Sequence, residues 1–340
     1  MALKVTELSP IRLRGEESCR RAIRLAESIG FDEEKRSKIA RVVAETATDP
    51  TARRGDAPTI RLGVTKGERG GQGLLILSER RSPGPTDSER VLPFLSPSTA
   101  GAIEERFAVV QRHSDEFSLH TETGPGRSFA ETLIFARFWE DPPSPARHFE
   151  CEALTQVRSG EIHNGDGIFL SETGEELQAA IIDGLGHGLG ARKAAEAAKE
   201  ILKEGTRLPL AALFERLHRE LRGTRGAVVG ILRLNRKEEK GIFAGVGNID
   251  CRIDGANPSR PVSMDGSLGV VLPRCREQSF SFGPNDYFVL ASDGLSPKWE
   301  PRADARWALF PPLVRGTLLL RDHGRAEDDA TVLIGRRAPG

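Results

Sequence analysis

Apolar residues in this chain recur at two spacings, and the change from one to the other marks its elements. Cys19, Ala22, Ile23, Ala26 and Ile29 fall three or four apart, the spacing of one helical face, and Gly30 is placed to end that helix. A second helix is predicted from about Glu33 to Ala47, with Ile39, Val42 and Val43 turned inward. Shorter runs predict strands at Thr59–Thr65 and Gly73–Ser78, then a helix near Ala102–His113 and strands at Glu116–Thr121 and Ser128–Leu133. Glu140-Asp141-Pro142-Pro143-Ser144-Pro145 interrupts the pattern, because prolines so close together cannot continue a helix or a central strand. This reads as a linker over 140–147, with one unit at 1–139 and another at 148–337.

Beyond the linker the strand signal dominates. A strand is expected to emerge from Gly160–Leu170, turn through Ser171–Glu175, and return as Leu177–Ile182 into Asp183-Gly184-Leu185-Gly186-His187-Gly188. Ala191, Ala194, Ala195, Ala198 and Leu202 then mark a helix, and another is expected from Pro209 to about Leu221. Strands resume at Ala227–Leu234, Gly241–Ile253, Tyr287–Ala291 and Thr331–Ile334. The whole predicts a mixed α/β chain of the α+β kind.

Composition narrows the function classes. The chain has 340 residues, 38% of them hydrophobic, enough for real cores and long for a single domain. Formal net charge is zero, with no run of Lys/Arg to draw nucleic acid or a membrane surface. No apolar stretch approaches the roughly 20 residues that span a bilayer, and Met1–Glu7 lacks the apolar core of a signal peptide. Cys19, Cys151, Cys251 and Cys275 are scattered, which suggests neither a disulfide framework nor a zinc site. The expectation is a soluble, cytoplasmic protein.

The candidate chemistry lies in four acids. Asp183 and Asp293 each close an apolar strand and precede a glycine, Asp166 sits between Gly165 and Gly167, and Asp328-Asp329 opens the last strand. Carboxylates gathered at core strand ends repel one another unless something positive neutralises them. Hard divalent cations with oxygen ligands, Mg²⁺ or Mn²⁺, do so most simply, and no Cys/His cluster offers zinc an alternative. An Asp-Gly pair after a strand is also an ordinary turn, so the weight rests on four such acids in one stretch.

Asn164-Gly165-Asp166, Asp183-Gly184-Leu185-Gly186-His187-Gly188, Gly245-Val246-Gly247-Asn248, Ser292-Asp293-Gly294 and Asp328-Asp329-Ala330-Thr331 occur in that order. The set resembles the SpoIIE/RsbX-like branch of the metal-dependent PPM protein phosphatases and covers nearly all of residues 150–337. The resemblance implies a four-layer α/β/β/α sandwich with two metal ions between antiparallel sheets. It implies that Asp183 bridges the ions, that the Gly184 carbonyl completes one shell, that Asp293 and Asp328 hold one ion, and that Asp166 supports the other directly or through water. Asp329 matches a position beside the ligand. Eukaryotic-type members carry a His soon after the bridging Asp-Gly; here Leu185 stands there and His187 follows two residues on, a candidate acid or else a solvent-facing turn residue. No Arg equivalent to the phosphate-gripping one of those enzymes is evident, which points to capture by protein docking.

The order of elements in residues 1–139, with Val43-Ala44-Glu45-Thr46-Ala47-Thr48-Asp49 and Gly124-Pro125-Gly126-Arg127-Ser128, resembles the GHKL-type ATPase domain of anti-sigma serine kinases. Glu45 and Asp49 are its candidate nucleotide–cation residues, Asp49 standing where the family has a Mg²⁺-binding Asn. Ser82-Pro83-Gly84-Pro85-Thr86 lacks the adenine-reading Asp, and the glycine-rich lid is reduced to Ser98-Thr99-Ala100-Gly101. Lost glycines remove close backbone approach to phosphate, so ATP turnover is not expected and a regulatory, partner-binding role is.

Together these readings predict a protein serine/threonine phosphatase acting on a phosphorylated regulatory protein, by family analogy a STAS-type anti-sigma antagonist or stress-signalling scaffold. A homodimer stays open. The competing readings are a non-catalytic partner-switching module and a bifunctional kinase/phosphatase fusion.

Overall fold

The computed structural model describes residues 2–47, 57–67, 70–83, 107–123, 129–142, 148–299, 307 and 310–338. The chain divides into two compact units, Leu8–Pro143 and a second made of Met1–Glu7 with Ser144–Gly340. The first strand, β1 (Ala2–Leu8), was not foreseen; it pairs in parallel with β6 (Phe149–Gln156), so the first seven residues group with the C-terminal unit rather than with 8–143.

In the Leu8–Pro143 unit, α1 (Gly15–Ile29) and α2 (Glu33–Ala47) precede β2 (Thr59–Gly67), β3 (Gln72–Pro83), the helical residues 107–113 (α3), β4 (Glu116–Thr123) and β5 (Phe129–Trp139). The strands pair antiparallel in the order β2-β3-β5-β4. Ala22, Ala26 and Ile29 of α1 and Ile39, Val42 and Val43 of α2 bury against Leu74 and Ile76 of β3 and Ile134, Ala136 and Phe138 of β5. Gly30 ends α1 in the left-handed region at φ 100°, donating to the carbonyls of Ala26 and Glu27.

The C-terminal unit holds two sheets. One runs β11-β13-β14-β6-β1, with β11 (Asp250–Asp254), β13 (Tyr287–Ala291) and β14 (Ala330–Arg337); its β1–β6 pair is parallel and its other pairs antiparallel. The other is wholly antiparallel, β12-β10-β9-β8-β7, with β7 (Asp166–Thr173), β8 (Glu176–Gly184), β9 (Ala227–Asn235), β10 (Lys240–Val246) and β12 (Gln278–Ser281).

Alternation along the strands decides what each face covers. Ile168, Leu170, Leu177, Ala179 and Ile181 join Cys151, Ala153, Cys251, Phe288, Leu290 and Leu333 in one core shared by the two sheets. The intervening Phe169, Ala180 and Ile182 turn the other way, onto Ala195, Ala198 and Leu202 of α4 (Gly188–Glu204) and Leu213, Phe214 and Leu217 of α5 (Leu210–Glu220). Helix α6 (Pro312–His323) packs on β6 and β14, where Gly316 brings its backbone so close to Leu154 that an added Cβ would sit 2.3 Å from Leu154 Cδ1.

The single strand expected over Gly241–Ile253 is two. Gly247 adopts φ 99°, its N–H donates to Met264 O at 2.8 Å, and β10 and β11 then enter different sheets. A side chain at 247 would collide with Val228 at 2.2 Å, so glycine is required where the chain changes sheets.

Candidate active site

The β7–β8 hairpin brings the first two predicted acids together. Asp166 opens β7, Asp183 stands one residue before the end of β8, and they are direct cross-strand partners. Asp293 follows β13 by two residues, and Asp328 and Asp329 lead into β14, so strands from both sheets contribute. Arg325 partly offsets the charge of Asp293, but the cluster as a whole stays strongly acidic. Burial first, then the charges of Asp166, Asp293, Asp328 and Asp329, push the Asp183 carboxyl up to about 9. Burial likewise raises Asp166 to about 8, against the opposing effect of hydrogen bonds from Thr331 and Ser292. Asp293 is raised by burial and by Asp328, less so because Asn248 donates to it.

Polar neighbours hold the acids in place. Ser292 Oγ donates to Asp166 Oδ2 at 2.7 Å and accepts from Thr331 N at 2.9 Å. Thr331 and Thr155 hydroxyls meet at 2.8 Å, and Asn164 bonds Thr155 through its amide and accepts from Asp166 N at 2.8 Å through its oxygen. Asn248 Nδ2 reaches Asp293 Oδ2 at 2.7 Å.

Asp329 does something else. It is buried, and its two oxygens accept from the backbone of Arg158 at 2.8 Å and Gly165 at 2.7 Å. It therefore ties the loop before β7 to the start of β14, with each of its oxygens engaged by one backbone N–H.

Two glycines allow close approach. Gly184 lies against α4, where an added Cβ would stand 2.1 Å from Ala191 O, and at Gly294 it would stand 2.0 Å from Asp329 O. His187 is at the N-cap of α4, exposed, its Nδ1 2.6 Å from Glu161 Oε1 and its carbonyl accepting from Arg225 Nη1 at 3.1 Å.

Among the described residues no group of three or more His, Cys, Asp or Glu side chains is placed so as to hold a metal ion. The chemistry of the donor set nonetheless suits hard cations: crowded carboxylates, with a backbone carbonyl at Gly184 beside them. Glu45 sits half-buried on α2 in the other unit, and Asp49, Gly84–Thr86, Ser98–Gly101 and Gly124–Ser128 lie outside the described residues. Asn248, Ser292, Glu161 and Arg225 carried no assigned role in the sequence; Asn248 and Ser292 stood inside quoted motifs, whereas nothing local marked Glu161 or Arg225.

Two sheets on a shared apolar core, one of them wholly antiparallel, with an acidic cluster at the strand ends, are consistent with a PP2C-like fold. No family model matches the chain. It is 23% identical over 191 residues, 56% of this chain and 95% of the relative, to phosphoserine phosphatase RsbX of Bacillus subtilis (strain 168). The crystal structure of RsbX in complex with magnesium matches with TM-score 0.52 and 20% identity, over 57% of this chain and 98% of that one. A chain from a study of the bacterial stressosome, described as a modular system adapted to control secondary messenger signaling, matches with TM-score 0.53 and 32% identity, over 56% of this chain and all of that one. About half of the chain is thus homologous to RsbX-like PPM serine/threonine phosphatases, and that homology supports a protein serine/threonine phosphatase. Among the described residues no helix is long and apolar enough to cross a membrane.

Proposed function

We propose that the C-terminal unit is a two-metal protein phosphatase in which Asp183, Asp293, Asp328 and the Gly184 carbonyl bind Mg²⁺ or Mn²⁺ and Asp166 supports the second ion directly or through water. The observation that carries this is the convergence of Asp166, Asp183, Asp293 and Asp328, from the ends of separate strands, on one cluster in which burial and neighbouring carboxylates raise Asp166 to about 8 and Asp183 to about 9, and raise Asp293 as well. Such a cluster is costly for folding alone and is relieved by bound cations.

When bound, two such ions activate a water for in-line attack on phosphorus and offset the charge on the phosphoryl oxygens. The chain's own residues supply the rest. Ser292 and Thr331 hold Asp166, Asn248 holds Asp293, and Asp329 fixes the loop ahead of Asp166. His187, its Nδ1 engaged by Glu161 and its Nε2 without a hydrogen-bond partner among the described residues, is the candidate to give a proton to the departing serine oxygen.

The pairing of sheets and outer helices supports the four-layer α/β/β/α reading. The two helices on one face of an antiparallel sheet in residues 8–143 support a GHKL-like unit, which we assign a regulatory role. RsbX is a phosphoserine phosphatase and the stressosome a signalling assembly; a phosphorylated regulatory protein, with a STAS-type domain the leading candidate, is the substrate proposed for this chain.

The test is hydrolysis of a phosphoserine peptide and of p-nitrophenyl phosphate by the full chain with added Mn²⁺, compared with Asp183→Asn. Turnover that requires the metal and collapses in the variant is the expected result. Absence of both turnover and calorimetric Mn²⁺ binding would favour a non-catalytic partner switch.

A further inference from the structure

Few large apolar side chains stand in water on the described residues of the C-terminal unit, and most of those gather near the turn that follows Asp183. Ile162 is 85% exposed, Leu189 51%, Val270 60% and Val271 57%. Singly such residues mean little. Here they come from two loops and the first turn of α4, each firmly anchored.

Ile162 rides on the loop that Asp329 clamps at Arg158 N and Gly165 N, and its neighbour Glu161 bonds His187. Leu189 is in the first turn of α4, just beyond Gly188, whose Cβ position would lie 3.0 Å from a Glu161 carboxylate oxygen. Val270 and Val271 project from a tight turn whose Leu268 is fully buried and exchanges backbone hydrogen bonds with Ala227 at 2.8 and 3.1 Å. Their exposure is built into the fold and does not come from slack in the loops.

Arg225 stands over the turn that leads to Leu189 and is next in sequence to Gly226. Its guanidinium lies over the turn, with the Cβ positions of Gly186 and Gly190 3.1 and 2.5 Å away, and one N–H is tied to His187 O. Its Nε and Nη2 have no hydrogen-bond partner among the described residues. The adjacent Gly226 carries the patch onward: Val270 Cγ2 and Leu185 Cδ1 stand 3.2 and 3.3 Å from its Cβ position. A fixed cation with open donors, flanked by apolar side chains, fits an extended anionic segment with apolar residues.

We propose that Ile162, Leu189, Val270 and Arg225 form a docking rim that selects phosphorylated segments carrying apolar side chains beside the phosphoresidue and a carboxylate for Arg225. This deepens the phosphatase reading above and rests on it.

The test uses the full chain with Mn²⁺ and four substrates: p-nitrophenyl phosphate, a phosphoserine peptide with flanking leucines and one glutamate, the same peptide with serine and glycine replacing them, and the first peptide with lysine in place of its glutamate. Wild type is expected to favour the first peptide over the second by about tenfold in kcat/KM, the worth of a few apolar contacts. Ile162→Ser, Leu189→Ser and Val270→Ser should each shrink that ratio, and Arg225→Glu should shift preference to a peptide with lysine in place of the glutamate. Because the readout is a ratio within one enzyme sample, partial misfolding does not mimic the effect. Equal rates on both peptides in wild type, or an unaltered ratio in all the variants, would overturn the rim. Turnover of p-nitrophenyl phosphate reports the carboxylate centre independently, so its absence in wild type would instead overturn the underlying reading.

Discussion

Asp166 and Asp183 are direct partners across the β7–β8 ladder, so two carboxylates share one end of a hairpin whose interior positions are apolar. Paired like charges destabilise a sheet. Asp183→Asn should therefore raise the melting temperature of the metal-free protein by a few degrees, about 1 kcal/mol in a unit of this size, while lowering Mn²⁺-dependent turnover by about 10³-fold. Differential scanning calorimetry in a chelator, with a steady-state assay alongside, checks both.

The same pair sets a pH dependence. Asp166 and Asp183 are raised from 3.8 to about 8 and about 9, so between those limits the folded state binds more protons than the unfolded state. Their contribution is fully present below about pH 4 and is lost as pH rises through 8 to 9. Metal-free protein should accordingly lose stability toward alkaline pH. Saturating Mn²⁺ should restore more stability at pH 8 than at pH 5, where protons compete for the same oxygens. Urea unfolding at the two pH values, with and without Mn²⁺, measures it.

Gly184→Ala would place a methyl group 2.1 Å from the Ala191 carbonyl oxygen, against helix backbone rather than a movable side chain. The expected cost is about 2 kcal/mol or more, with displacement of the Gly184 carbonyl and loss of turnover. Leu185→Ala, one residue on and half-buried, serves as the comparison in the same chemical denaturation series.

Asn248→Ala removes the amide that orients Asp293 at 2.7 Å. Partners of metal-binding carboxylates are typically worth about 10–100-fold in affinity, so Mn²⁺ should bind more weakly by calorimetry with little change in thermal stability of the metal-free protein.

Asp329→Ala leaves the N–H groups of Arg158 and Gly165 without their acceptor. Unmet buried donors cost about 1–3 kcal/mol each. A fall in stability independent of added Mn²⁺ is expected, in contrast to substitution at Asp328, whose effect should require the metal. Thermal shift with and without Mn²⁺ separates the two.

Much of this architecture was legible in the sequence because its causes are local. The 3.6 spacing of Ala22, Ala26 and Ile29, the stop at Gly30, and the strands ending in Asp183 and before Asp293 all follow from one stretch of chain burying one face. The same local logic placed the four acids at strand ends and so marked them as unusual. Where no local cause acted, the reading failed. β1 is a short strand whose only pattern is completed by β6, some 150 residues later in the sequence, and Gly247 looked like the middle of a strand until Val228 and Met264 were placed around it.

Residue types, periodicities and glycines thus determined which acids existed, which elements carried them and which chemistry their concentration implied. Tertiary structure alone decided that Asp166 faces Asp183, that Asp329 spends both oxygens on backbone, that Asn248 orients Asp293, and that Arg225 lies over the turn at His187. Those relationships join residues from 17 to 171 positions apart in the chain, set by sheet register and loop anchoring. Pattern within a segment cannot encode them, because each depends on where a distant partner has already been packed.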